Sequence, residues 1–107
     1  MARASNKLAL AEGDVAKAME FAGPKSDPFQ RRAAASLCQR LAIEQRKPIV
    51  AALLAHEEDK DDQNLPLMVW YAAEPVVAAD PLWAAEALGI CKIPKVTEYI
   101  ARRMAAK

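Results

Sequence analysis

Cysteine and histidine are scarce in this sequence, which holds two cysteines and one histidine among 107 residues. Cys38 and Cys91 are too few for a disulfide framework, and neither lies in a C-x-x-C-H motif for covalent haem attachment. His56 stands alone, and Lys60 occupies the position of the second histidine in an H-E-x-x-H zinc motif. We therefore predict no haem attachment and no zinc-peptidase site, and we expect His56 to be a surface or capping residue near a helix end.

The sequence also lacks long apolar runs and an excess of one charge. No run approaches the roughly 18 apolar residues that cross a bilayer. Lys7, Glu12 and Asp14 interrupt the stretch where a secretory signal would carry its apolar core. Fifteen basic and fourteen acidic residues give a net charge of +1, so no whole-chain field attracts nucleic acid or an anionic membrane. We expect no signal peptide, no transmembrane segment or membrane insertion, and no nucleic-acid partner.

Alanine and proline are abundant instead. Alanine favours helix and lets helices approach closely, and five of the seven prolines stand at or near the start of an apolar-periodic segment, where a missing N–H costs nothing. The pattern predicts one all-α domain, residues 1–107, built from about five to seven short antiparallel helices. The five prolines are Pro28, Pro48, Pro66, Pro81 and Pro94.

The first half of the chain divides into three predicted helical segments. Residues 4–22 are expected to form two short helices separated at Gly13-Asp14, and Gly23-Pro24 ends them. Asp27 then caps a helix whose apolar row recurs every fourth residue and is expected to face the core: Phe29, Ala33, Leu37 and Leu41. The third helix is expected to open at Pro48. Its apolar face comprises Ile49, Val50, Leu53 and Leu54. Basic residues of the preceding helix and of the turn before Pro48 are expected to form a solvated basic face: Arg31, Arg32, Arg40, Arg46 and Lys47.

The second half is organised around a charge-free segment, residues 65–73, which predicts a buried central helix. Asn64 is its expected N-cap, and the helix is expected to stop or kink before Pro75. Met68, Trp70 and Tyr71 are expected to be packing residues of this helix. Asp80 is predicted to start another helix, with Gly89 as its C-cap. The last helix has an apolar stripe, which we expect to be covered by a partner from outside this chain: Val96, Ile100 and Met104.

The acidic loop before the central helix leaves two alternatives. Its carboxylates fit a solvated loop that complements the positive end of the helix. The EF-hand pattern fails, because Asn64 stands at the turn glycine and Trp70 at the bidentate glutamate. The alternative is a small calcium-type metal-binding or redox-accessory module that uses residues 56–64. Its candidate ligands are His56, Asp59, Asp61 and Asp62.

Two stretches resemble known helical repeats. Asp27-Pro28-x-x-Arg31-Arg32-Ala33-Ala34-Ala35 resembles the start of a HEAT-type repeat helix, with Gln30 where that family prefers valine. A longer pattern resembles the HEAT-like region of the planctomycete and verrucomicrobial membrane-bound-dehydrogenase-type (PVC-type) c-type cytochrome proteins. It runs His56-x-Glu58-Asp59-x-x-Asp62-x-Asn64-Leu65-Pro66-Leu67-Met68-x-Trp70-Tyr71, then Glu74-Pro75, Ala79-Asp80-Pro81 and Lys92-Ile93-Pro94-x-Val96-x-Glu98-x-Ile100-Ala101-Arg102-Arg103.

This resemblance implies a HEAT-like α-solenoid between a dehydrogenase-like domain and a c-type cytochrome domain, in an exported, periplasmic redox protein. The chain itself has neither neighbour, and no nucleophile, base and orienting group stand in a recognisable arrangement, so we expect no catalytic residue and no cofactor. The expected partner is protein, either neighbouring domains of the same polypeptide or another chain. The acidic loop is its expected contact surface. Structural or interaction roles are expected for Asp27, Arg31, Asn64, Trp70, Tyr71 and Asp80.

Overall fold

A computed structural model describes residues 13–106, and every regular element in this range is helical. The expected all-α class is therefore confirmed for this part of the chain. Helix α1 covers residues 13–21, and a 3-10 turn covers Glu57–Asp59. The other helices are α2 (Pro28–Cys38), α3 (Ile43–Leu54), α4 (Leu65–Ala79), α5 (Pro81–Ile90) and α6 (Pro94–Ala105). Among these residues, no helix combines the length and the apolar character that a bilayer crossing requires.

The two Asp-Pro helix starts are confirmed. The Asp27 carboxylate accepts a hydrogen bond from the backbone N–H of Gln30 at 2.7 Å, and the Gln30 side chain accepts one from the Asp27 N–H at 3.0 Å. Asp80 likewise accepts from the N–H of Trp83 at 3.1 Å. Each carboxylate satisfies a backbone donor that a helix start leaves without a partner.

Predicted helix boundaries differ from the observed ones at three positions. Pro48 lies inside α3, which begins at Ile43, and α4 does not stop before Pro75 but continues to Ala79. Gly89 lies inside α5 rather than at its end. An interior proline removes one backbone hydrogen bond, but buried apolar residues follow Pro48 (Ile49 and Val50) and lie on both sides of Pro75 (Ala72, Ala73, Val76 and Val77), and this tertiary packing holds the two helices together.

The predicted division of residues 4–22 falls partly outside the described residues, since 4–12 are not among them, and neither are Lys7 and Glu12. Gly13 and Asp14 are both helical, so Asp14 lies within α1 and does not cap it. The predicted end of this region is confirmed, because α1 stops at residue 21, just before Gly23-Pro24.

Helix α4 is the centre of the fold, since it packs against α2, α3, α5 and α6. Its inward residues Val69, Ala72, Ala73 and Val76 are fully buried. The alanines let neighbouring helices approach closely, and the predicted face of α3 (Ile49, Val50, Leu53 and Leu54) is also fully buried. The expected burial of the central helix is thus confirmed for its inner side, while Leu67 and Tyr71 face outward.

Helix α6 covers the far side of α4. Val96 and Ile100 are fully buried, so the expected unpartnered stripe of this helix is wrong: α4 and α5 cover it within the chain. The Trp70 ring lies 5.7 Å from that of Tyr99, and one turn later in both helices Glu74 accepts from Arg103 at 3.0 Å. Contacts in this order show that α4 and α6 run in the same direction.

The buried face of α2 differs from the predicted one. Leu41 is buried as predicted, and so are Ala34 and Cys38, which flank the predicted row, while Leu37 packs against the core. The prediction is wrong for Phe29, which is 73% exposed, and for Arg31, which is buried. The arginine is accommodated in the interior because an acidic residue from the 56–64 loop meets it there.

Candidate functional site

The densest group of polar contacts joins α2 to the acidic loop. Arg31 and Asp59 are each only 2% exposed, and their side chains pair through two hydrogen bonds, Nε to Oδ2 at 2.6 Å and Nη2 to Oδ1 at 2.7 Å. This forked geometry is the strongest arrangement available to an arginine and a carboxylate. The pair therefore neutralises two buried charges and ties α2 to the segment before α4.

The same guanidinium also holds the turn before α2. Its Nη1 donates to the backbone carbonyl of Ser26 and lies 3.8 Å from the Glu58 carboxylate. The hydrogen bond to Asp59, which outweighs the opposing effect of burial, raises the pKa of Arg31. Arg31 thus remains charged and connects three segments, and its predicted solvent exposure is wrong, since it is 2% exposed.

His56 lies in the interior, not at the surface, with 6% of the residue exposed. Its Nε2 lies 2.9 Å from the carbonyl oxygen of Ala22, and its Nδ1 lies 2.8 Å from the Glu58 carboxylate, both within hydrogen-bond distance. His56 thereby attaches the end of α1 to the acidic loop.

Asp62, and not Asn64, caps the central helix. The Asn64 side chain makes no capping bond, whereas Asp62 Oδ1 accepts from the backbone N–H groups of Asn64 at 2.8 Å and Leu65 at 2.9 Å. The bond from Leu65, followed by that from Asn64, lowers the pKa of Asp62. The prediction identified a capped helix start but named the wrong residue. Asn64 has a helical backbone conformation, whereas a side-chain N-cap usually has an extended one.

Asp62→Ala is expected to lower the free energy of unfolding by about 0.5–2 kcal/mol, the usual cost of losing a helix cap. Asn64→Ala is the matched control and is expected to change it by less than about 0.5 kcal/mol, as at an ordinary surface position. Urea unfolding followed by circular dichroism measures both. Equal losses in the two variants would show that Asp62 has no special role.

Acid should destabilise the fold through the same loop. The hydrogen bond from His56 lowers the pKa of Glu58, and backbone donors lower that of Asp62, from ordinary values of 4.5 and 3.8. A carboxylate whose pKa is lower in the folded state stabilises the fold above its unfolded pKa, and that contribution is lost as the pH falls through the folded value. We expect stability to decline below pH about 4.5. Melting temperatures between neutral and acid pH should fall less steeply for Glu58→Gln and Asp62→Asn than for the parent chain; an unchanged slope would contradict this.

The four candidate metal ligands are not assembled into a metal site. Both oxygens of Asp59 are bound by Arg31, both ring nitrogens of His56 are engaged, Asp62 caps α4, and Asp61 is exposed. Between residues 13 and 106 no three His, Cys, Asp or Glu side chains come together as a group that could hold a metal ion.

Calcium should therefore leave the melting temperature unchanged. A cation that bound only the folded chain would raise it, but binding here would first have to break the buried pair between Arg31 and Asp59. Thermal melts with excess calcium and with chelator provide the measurement, and Asp61→Asn controls for nonspecific screening of the loop. A calcium-dependent rise that Asp61→Asn abolishes would support the metal-binding alternative instead.

The predicted basic face does not exist as a unit. Arg31 and Arg46 are buried, and Arg46 donates to the backbone carbonyls of Leu41 and Ala72. The remaining three members pair with acidic residues: Arg32 with Asp62, Arg40 with Asp14, and Lys47 with Glu44 and Asp80. Little unpaired positive charge is left on this side of the molecule for phosphate or an acidic partner.

The aromatic residues of α4 have different environments. Trp70 is half-buried against Tyr99, as expected of a packing residue, whereas Tyr71 is 57% exposed and is not part of the core. Tyr71 and Met68 line an open groove of about 260 Å³ between α2 and α4, together with Ala35, Ser36 and Gln39. Leu67, one turn before Tyr71 on the same side, is 42% exposed. We call the five lining residues, together with Leu67 beside them, the α2–α4 groove.

The two cysteines are free. Cys38 is fully buried in the core, and burial raises the pKa of its thiol to about 11. Cys91 is half-buried, and its Sγ donates to the carbonyl of Ile93 at 3.4 Å. Cys38 therefore packs as a small apolar residue.

Comparison with known proteins adds no assignment, since no family model, no curated protein and no solved structure matches this chain.

Proposed function

We propose that this chain is a non-catalytic, HEAT-like α-solenoid segment that acts as a protein-binding scaffold. The observation that carries the proposal is the order of packing. Helices α2 to α6 pack chiefly against helices one and two positions along the chain, with α4 and α6 parallel and α5 between them in sequence. Stacked helical hairpins produce this pattern, because each repeat contacts only its neighbours.

The dimensions agree with such a stack. The Cα atoms extend over 43 × 34 × 19 Å, and the smallest extent accommodates two layers of helices whose axes lie about 8–10 Å apart. The pairs α3–α4 and α5–α6 pack against each other, and α1 with α2 would complete three hairpins, about the minimum that a repeat array needs to bury a continuous core.

The use of polar side chains also favours a scaffold. Arg31, Asp59 and His56, the buried ionisable residues of the acidic loop and its neighbour, are engaged in bonds that hold segments together. The α2–α4 groove, by contrast, exposes Tyr71 at 57% and, beside it, Leu67 at 42%. Tyrosine is among the residues that contribute most to the binding energy of protein interfaces. We therefore propose this groove, rather than the acidic loop, as the contact surface.

Within this proposal, the partner class is the one that the resemblance to the PVC-type proteins implies. The chain would lie in the periplasm between a dehydrogenase-like domain and a c-type cytochrome domain, whether these belong to one polypeptide or several. An immunoblot of source cells against residues 13–106, with haem staining of the same gel, tests the context. A haem-positive band much larger than 11.7 kDa is expected. A haem-free band at 11.7 kDa would remove the electron-transfer context while leaving the scaffold proposal.

The contact surface is tested by site-specific photocrosslinking in the same cells. A photoreactive residue at position 71 reports on the α2–α4 groove, and one at position 61 reports on the acidic loop, since Tyr71 and Asp61 are both exposed. We expect a discrete adduct, identified by mass spectrometry as a dehydrogenase-like or cytochrome domain, from position 71 only. An adduct from position 61 alone would move the contact surface back to the acidic loop.

A further inference from the structure

No further inference is drawn: the strongest candidate, the exposed apolar patch on the outer side of α5 that bears Leu82 and Ile90, carries none, because nothing in the structure shows what covers it.

Discussion

Asp59→Ala is expected to lower the free energy of unfolding by about 3–5 kcal/mol, a large part of the stability of a domain this size. The substitution removes both acceptors of the forked bond and leaves the Arg31 guanidinium charged at 2% exposure. A buried charge without its partner carries its full desolvation cost. Urea unfolding at neutral pH, compared with the parent chain, measures the loss.

A surface ion pair provides the control for Asp59→Ala. Glu98 and Arg102 pair across one turn of α6 at 56% and 72% exposure, so Glu98→Ala is expected to cost no more than about 0.5 kcal/mol. The double variant Arg31→Met with Asp59→Leu should recover most of the loss, because it removes both charges together. A loss from Asp59→Ala as small as that from Glu98→Ala would contradict the buried pair.

Ile100→Ala is expected to lower the free energy of unfolding by about 2–5 kcal/mol. Ile100 is fully buried where α6 packs against α4 and α5, and truncation removes apolar contact and leaves a cavity in a close-packed region. The expected size of the effect depends on α6 being covered within this chain. Thermal and urea unfolding of the variant give the value.

Phe29→Ala is the control for Ile100→Ala. It also tests whether Phe29 belongs to the core, as the periodicity predicted, or is exposed, as the structure has it. Four-residue periodicity placed Phe29 in the core, whereas its 73% exposure predicts a change within about 0.5 kcal/mol. Comparable losses from the two substitutions would mean that Phe29 is buried as the periodicity suggested, and would contradict the observed face of α2.

Local features of the chain were predictable because their causes are local. The Asp27-Pro28 and Asp80-Pro81 helix starts and the apolar face of α3 follow from residues within one or two turns of each other. The candidate site was not predictable in this way. Neighbouring residues in the sequence do not distinguish Asp59 from Asp61 and Asp62. Only the tertiary structure brings Asp59 into contact with Arg31, which lies 28 residues away in the sequence.

The same limit explains the misplaced helix boundaries. Proline and glycine have local preferences for helix ends, but Pro48, Pro75 and Gly89 lie inside helices because packing against neighbouring elements outweighs those preferences. The packing that keeps each of these residues inside a helix comes from residues distant in the sequence, so the residues next to it do not indicate where the helix ends.

The sequence by itself determined the helical class, the two Asp-Pro starts and the burial of the α3 face and of the inner side of α4, because periodicity and capping act over a few residues. The tertiary structure decided which charges are buried, which residue caps α4 and which helix faces remain open. Those outcomes depend on residues brought together from separate parts of the chain: Arg31 enters the core because Asp59 meets it there, and Ile100 is buried because α6 packs against α4 and α5.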